Sequence, residues 1–147
     1  MNQILYIYII KMKKKSMNFY ITLTKTRRKF DKYIKINKIR NKVIVDINEL
    51  MQEYEVDGDK HRDYFNLMVY TRINHALRKG KDIYYIPDFR ATDIKIEQLF
   101  KLKESIDYEI NFNVLLFYDE FLDSDTILSD VFQHLDDFNS SQIIKDY

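Results

Sequence analysis

Three aspartates in this sequence each follow a short apolar run, and carboxylates in that position can do chemistry. Asp46 follows the run VIV, Asp88 follows IYYIP, and Asp119 follows NVLLFY with Glu120 directly after it. Ligands of parallel sheets gather at the carboxyl ends of the strands, where such side chains can hold Mg²⁺ or act as acid and base. The alternative is that these residues cap the next helices or face water, and we favour it for Glu120. The three aspartates are therefore the candidate catalytic residues.

A basic run lies between the first two apolar segments and is the candidate phosphate-binding region. It contains four cationic side chains in the sequence TKTRRK: Lys25, Arg27, Arg28 and Lys29. Their charge attracts the phosphate groups of a nucleotide or a nucleic acid. Basic residues continue as far as Lys42, with Phe30 and Tyr33 among them, and cations interleaved with aromatic rings are typical of nucleic-acid-binding surfaces.

The composition excludes several classes of site. The chain of 147 residues has no cysteine, so disulfides, zinc ribbons and thiol nucleophiles are excluded. It has only two glycines, Gly58 and Gly80, which are too few to build a glycine-rich phosphate loop. The acidic residues between 55 and 63 do not have the spacing of an EF-hand, so we expect a solvated loop around Gly58 and no metal site.

The net charge of +1 conceals a steep gradient along the chain. Residues 1–45 carry a net charge of +12, residues 46–110 carry −4, and residues 111–147 carry −7. Such asymmetry can mark an end that binds nucleic acid. It also fits an attraction between the basic and acidic ends, within one molecule or between two copies, and we favour that interpretation. The partner expected from charge alone is thus a second copy or an unidentified protein, with weak nucleic-acid binding as the alternative.

The apolar run QILYIYII at residues 3–10 is too short to cross a bilayer, which needs about 20 residues. Its lysines come after the apolar run, whereas a signal peptide carries its positive charge before it. We therefore expect residues 1–16 to be an N-terminal extension, with a true start at Met17 and no membrane association. The abundance of Lys, Ile, Asn and Tyr suggests an AT-rich genome, with a virus as one source. The absence of cysteine is compatible with a reducing cytosol, and we expect a cytoplasmic protein, in the host cytoplasm if the source is viral.

The elements that must position these residues alternate between strand and helix. Strands are predicted near residues 18–23, 42–46, 81–86 and 113–118, and helices lie between them and after the last one. Such alternation predicts a three-layer α/β sandwich with a mainly parallel sheet of four or more strands. One domain is predicted over residues 17–138, followed by a polar tail at 139–147.

The stretch from Asp63 to Phe89 is the clearest structural unit. Its apolar residues recur at helical spacing, which predicts a long helix with one buried face: Phe65, Met68, Val69, Ile73, Ala76 and Leu77. Gly80 follows and can adopt the left-handed conformation that ends a helix. The run IYYI without polar alternation then predicts a strand that is covered on both faces.

On these residues the chain resembles P-loop kinases of the nucleotide and polynucleotide kinase type. The resemblance covers residues 18–120 in outline and is carried by VIVDINELMQEY and by YFNLMVYTRINHALRKGKDIYYIPDF. In that family a long helix ends in a small-Leu-x-x-Gly turn before a strand with a terminal Asp, as Ala76 to Asp88 do here. Asp46 fits the acidic residue that ends the second strand of the family. The resemblance implies that the third strand lies between the first two and that 113–118 lies on the far side of 18–23.

The phosphate loop of that family is missing. The family has GxxxxGK[ST] after its first strand, where backbone amides wrap the phosphates. Here the position holds Thr24–Lys29, which contains no glycine. We therefore expect a kinase-like, non-catalytic accessory or interaction protein with no cofactor. A basic nucleic-acid-associated protein is the first alternative. A Mg²⁺-dependent kinase-like enzyme that uses Asp46, Asp88 and Asp119 is the second.

Overall fold

Five strands form the centre of the molecule. The computed structural model describes residues 16–53, 59–88, 99–101, 104, 109–123 and 125–145. The strands are β1 (Ser16–Leu23), β2 (Lys42–Asp46), β3 (Asp82–Ile86), β4 (Glu109–Phe117) and β5 (Ser140–Ile144). They form one parallel sheet in the order β2-β3-β1-β4-β5. β3 lies between β1 and β2, and β4 lies on the far side of β1, which is the arrangement that the resemblance implies.

Helices cover both faces of this sheet. They are α1 (Arg27–Ile36), α2 (Ile47–Glu53), α3 (Asp59–Arg78) and α4 (Asp125–Gln133), with short 3-10 turns at Tyr118–Phe121 and Leu135–Asp137. The apolar residues of α1 belong to one buried cluster, and those of α2, α3 and α4 belong to another on the opposite face. The predicted three-layer α/β sandwich with a parallel sheet is therefore confirmed. A further helix predicted over residues 93–106 lies mostly outside the described residues.

Side chains that point alternately to the two faces of each strand contribute to the two buried clusters. On β1 the residues Met17, Phe19, Ile21 and Leu23 face α2–α4, because successive side chains of a strand point to opposite faces. On β4 the same face carries Ile110, Phe112, Val114 and Leu116, while Leu115 and Phe117 face α1. The sequence predicts burial of Ile83, Tyr85, Leu115 and Phe117. Three of these are buried, and Tyr85 is only partly buried against the core.

The end of α3 has the geometry that its sequence predicts. Gly80 has a φ of +70°, in the left-handed region where a side chain would be strained. The amide of Lys81 donates to the carbonyl of Ala76 at 3.2 Å, and the amide of Gly80 donates to Leu77 at 3.1 Å. These two bonds form a Schellman motif, which satisfies the last carbonyls of the helix and turns the chain into β3.

Three features differ from the expectations. α3 begins at Asp59, inside the segment expected to be a loop around Gly58. The helical spacing of the apolar residues after β4 also predicts that Phe132 lies on the buried side of the last helix, but Phe132 is 42% exposed on α4. A fifth strand covers Ser140–Ile144, in a segment whose polar composition predicts a tail.

β5 is held by polar contacts as well as by Ile144. The hydroxyl of Ser140 donates to Asn113 Oδ1 at 2.7 Å, and the hydroxyl of Tyr33 donates to Gln142 Oε1 at 2.9 Å. Ile144 is buried in the cluster beneath α1. β5 thus pairs with β4 through its backbone, and its polar side chains find partners on β4 and α1, although no apolar run marks the strand in the sequence.

Leu115→Ala tests the packing beneath α1. Leu115 is 1% exposed, and we expect its truncation to lower the free energy of unfolding by about 2–5 kcal/mol through a cavity. The matched control is Leu67→Ala, because Leu67 is 62% exposed and its truncation should change stability by less than about 0.5 kcal/mol. Urea unfolding followed by circular dichroism measures both. Equal small effects in the two variants would contradict the described core.

Candidate functional site

The carboxyl ends of β1, β2 and β3 meet at an open cleft. Its volume is about 250 Å³. The cleft is lined by the loop after β1, the start of α2 and the end of β3: Thr24, Lys25, Arg27, Asp46, Asn48, Glu49, Gln52 and Ile86. The turn Tyr118–Phe121 after β4 approaches the same loop from the other side. The cleft thus lies at the sheet edge where parallel α/β proteins bind ligands.

The carboxylate of Glu120 binds the loop after β1. Its Oε2 atom accepts hydrogen bonds from the backbone amides of Lys25 at 2.5 Å and Thr26 at 2.8 Å. Its Oε1 atom accepts a longer bond from the hydroxyl of Thr24 at 3.4 Å. Hydrogen bonds from amides to an ionised acceptor are shorter and stronger than neutral ones. An internal carboxylate therefore lies where this loop presents its backbone donors just before α1.

Lys25 is held by the same turn. Its ammonium Nζ lies 3.2 Å from Asp123 Oδ1 and 5.3 Å from the centre of the Phe121 ring. An exposed ion pair of this kind contributes at most about 1 kcal/mol. Together with the Glu120 contacts, however, it directs Lys25 toward the residues after β4.

Arg27 is the second cation that lines the cleft, beside Lys25. Its guanidinium contacts three carboxylates: Asp31 at 2.9 Å, Asp46 at 3.0 Å and Glu49 at 2.7 Å. Burial on its own would lower the pKa of Arg27, but hydrogen bonds to Asp31 and Asp46 outweigh it and raise that pKa. Arg27 therefore stays charged and joins α1 to the end of β2 and to α2.

Asp46 is a helix cap as well as a partner of Arg27. Its Oδ1 atom accepts from the backbone amides of Asn48 at 3.0 Å and Glu49 at 3.4 Å. This is the usual N-cap geometry, in which a carboxylate satisfies amides of the first helical turn. The side chain of Asn48 also donates to the carbonyl of Pro87 at 3.2 Å, which ties α2 to the end of β3.

The remaining candidate residues lie on the elements around the cleft and are not among its lining residues. Asp88 is partly exposed after β3 and acts electrostatically on Tyr85, and Asp119 is exposed on the turn after β4. Arg28 is exposed on α1, and Lys29 is partly exposed beside it. Among the described residues, no three acidic or histidine side chains are close enough together to hold a metal ion.

Glu120 is the residue whose role the sequence pattern misses. Its partners are nearly a hundred residues away in the chain, at Lys25 and Thr26. A signal was nevertheless present, because β4 is predicted to lie beside β1 and both strands end at the same edge. An acidic pair after one strand and a basic loop after its neighbour therefore meet.

Comparisons with known proteins give one weak structural similarity. No protein-family model and no curated protein matches the sequence. The chain is similar to a solved structure of the PezAT chromosomal toxin–antitoxin system of the human pathogen Streptococcus pneumoniae, with 18% identity and a TM-score of 0.35. The match covers 90% of this chain and 59% of that one, so this chain spans about three fifths of its length.

None of the helices in the described part of the chain has both the length and the apolar composition that crossing a bilayer requires.

Glu120→Ala tests the contact between the turn after β4 and the loop after β1. The substitution leaves the amides of Lys25 and Thr26 without their acceptor, and we expect a decrease of about 1–3 kcal/mol in the free energy of unfolding. The neighbouring Asp119→Ala is the matched control, since Asp119 is exposed and should change stability by less than about 0.5 kcal/mol. Urea unfolding measures both variants, and equal decreases would show that the contact adds no stability.

Tyr85→Phe tests the pH dependence of stability. Burial first and the Asp88 carboxylate second raise the pKa of Tyr85 to about 12, above its ordinary value of 10.0. The folded state thus favours the neutral phenol. The contribution of Tyr85 to the free energy of unfolding is therefore complete below pH 10 and disappears as the pH rises toward 12. We expect stability to fall less steeply over this interval in Tyr85→Phe than in wild type. Urea unfolding across the interval measures this, and identical slopes would contradict it.

Proposed function

We propose that this chain is a non-catalytic, kinase-like accessory or interaction protein that has lost nucleotide phosphoryl transfer. The observation that carries the proposal is the Glu120 carboxylate on the backbone amides of Lys25 and Thr26. The resemblance places the phosphates of a nucleotide at this loop. Here an anionic side chain of the same molecule takes the donors.

The loop itself supports the same conclusion. Phosphoryl transfer depends on amides, a lysine and Mg²⁺ held in fixed positions around the β- and γ-phosphates. Every residue from Thr24 to Lys29 carries a β-carbon, which obstructs the close wrapping that glycines permit. The ammonium of Lys25 is paired with Asp123, so a phosphate in the cleft would compete with that carboxylate for it.

The electrostatics of the cleft disfavour a polyphosphate as well. Glu120 lies at the loop, and the cleft wall adds the carboxylates of Asp46 and Glu49. Arg27 lies among them and is already shared by three carboxylates. Asp46 in turn accepts hydrogen bonds from backbone amides of α2, so its Oδ1 atom caps that helix. The residues present therefore do not fit Mg²⁺ and a nucleoside triphosphate.

Isothermal titration calorimetry with ATP or GTP and Mg²⁺ tests the proposal. We expect no measurable binding in wild type and no hydrolysis above background, since attraction without fixed geometry does not supply catalysis. Lys25→Ala and Asp88→Asn should behave like wild type. Micromolar binding that either substitution abolishes would overturn the proposal in favour of a Mg²⁺-dependent kinase-like enzyme.

Glu120→Ala separates the two features that we expect to prevent phosphoryl transfer, which are the Glu120 carboxylate and the absence of glycine from the loop. Removal of the carboxylate frees the amides of Lys25 and Thr26 but adds no glycine to the loop. We therefore expect the variant to remain without turnover, with Asp119→Ala as its control. Turnover that appears only in Glu120→Ala would show that the loop is competent and that the carboxylate alone blocks it.

A further inference from the structure

The outer surface of α1 carries a row of cations that take no part in the cleft or its ion pairs. Arg28, Lys32 and Lys35 are all exposed, and their spacing of four and three residues places them on one face of the helix. Lys38 and Arg40 are exposed just beyond the helix. We call these five residues the basic stripe.

The packing of α1 directs the stripe outward. Phe30, Tyr33 and Ile34 are buried against the sheet, at 0%, 8% and 9% exposure. The opposite side of the helix must then face solvent. The aromatic rings that the sequence places among the cations are consequently in the core, where no base can stack on them.

The charges of the stripe are not neutralised by the described part of the molecule. Asp31 is the one acidic residue of α1, and its carboxylate is bound to Arg27 Nε at 2.9 Å. Between the basic and acidic ends of the chain, the ion pair found among the described residues is that of Lys25 with Asp123. No described carboxylate pairs with any residue of the stripe. The ion pairs within the described part of the molecule therefore leave the basic stripe available to an external anion.

The dimensions of the stripe fit a regular polyanion. At a rise of 1.5 Å per residue, Arg28 and Lys35 are separated by about 10 Å along the helix axis. Phosphates of one duplex strand follow each other about every 3.4 Å along the duplex axis while the strand winds around it, so a straight helix faces a short stretch of one strand. The long, flexible side chains of the three cations can reach phosphates of that stretch.

We propose that the basic stripe docks on the sugar–phosphate backbone of a nucleic-acid duplex and does not read its bases. A duplex is favoured over a single strand because Phe30 and Tyr33 are buried and offer no stacking surface. Contacts to phosphate fix position but carry no sequence information. The proposal depends only on surface charge and holds whether or not the chain transfers phosphate.

A salt titration with matched variants is the test. The full chain is titrated with short labelled DNA and RNA duplexes and with the corresponding single strands, over a series of salt concentrations. The stripe variant combines Arg28→Gln, Lys32→Gln and Lys35→Gln. The control variant combines Lys79→Gln, Lys101→Gln and Lys145→Gln, which removes the same charge from exposed positions elsewhere. Circular dichroism and urea midpoints confirm that both remain folded.

Wild type should bind duplexes weakly and its affinity should fall steeply as salt rises, because binding releases counterions. In the stripe variant the slope of log K against log salt should fall by about 3 in magnitude, one for each cation that no longer neutralises a phosphate. The control variant should keep the wild-type slope. DNA and RNA duplexes with the same response support backbone recognition.

Three results would overturn the proposal. An equal reduction of the slope in the control variant would show that net charge alone drives binding. Tighter binding to single strands with little dependence on salt would require a stacking surface that α1 does not have. The third result is that duplex binding is absent while the protein self-associates in light scattering or binds polyglutamate. If the stripe variant abolishes that association or binding, the stripe is assigned to an acidic protein or a second copy.

Discussion

The arrangement of the candidate site depends on the contact between Glu120 and the loop after β1. Buried backbone amides need hydrogen-bond partners, and a loop that precedes a helix has several to satisfy. In P-loop kinases, which this chain resembles, glycines let the loop wrap a phosphate. Here the loop has no glycine, and the amides of Lys25 and Thr26 donate to a carboxylate from the turn after β4. One interaction thus joins the neighbouring strands β1 and β4 at their carboxyl ends.

That contact divides the basic stretch into two parts with different environments. Lys25 and Arg27 are paired with carboxylates inside the site, where they connect the elements that follow β1, β2 and β4. From Arg28 onward the cations of α1 point away from the sheet, because Phe30 and Tyr33 take the inner face. The first cations of the basic stretch therefore stabilise the site, and the later ones present their charge to solvent along α1.

Much of the fold follows from local pattern. The helical spacing from Phe65 to Leu77, the left-handed Gly80 and the continuous apolar run into Ile86 predict a helix, its end and a strand covered on both faces, and all three are present. Alternation of strands and helices predicts a parallel sheet, because connections between adjacent parallel strands need a crossover. The carboxyl ends of the strands, and with them Asp46 and the basic loop, then come to one edge.

The sequence by itself determined what depends on neighbours within a few residues: the periodicity of each element, the helix ends, the absence of glycine from the loop and the clustering of charge. Only the tertiary structure decided which carboxylate meets which donor. Glu120 accepts amides from across the sheet, Asp46 meets Arg27 as well as its own helix, and the polar side chains of Ser140–Ile144 find partners in Asn113 and Tyr33. Their partners lie between 19 and 109 residues away, and no local pattern encodes a contact at that separation.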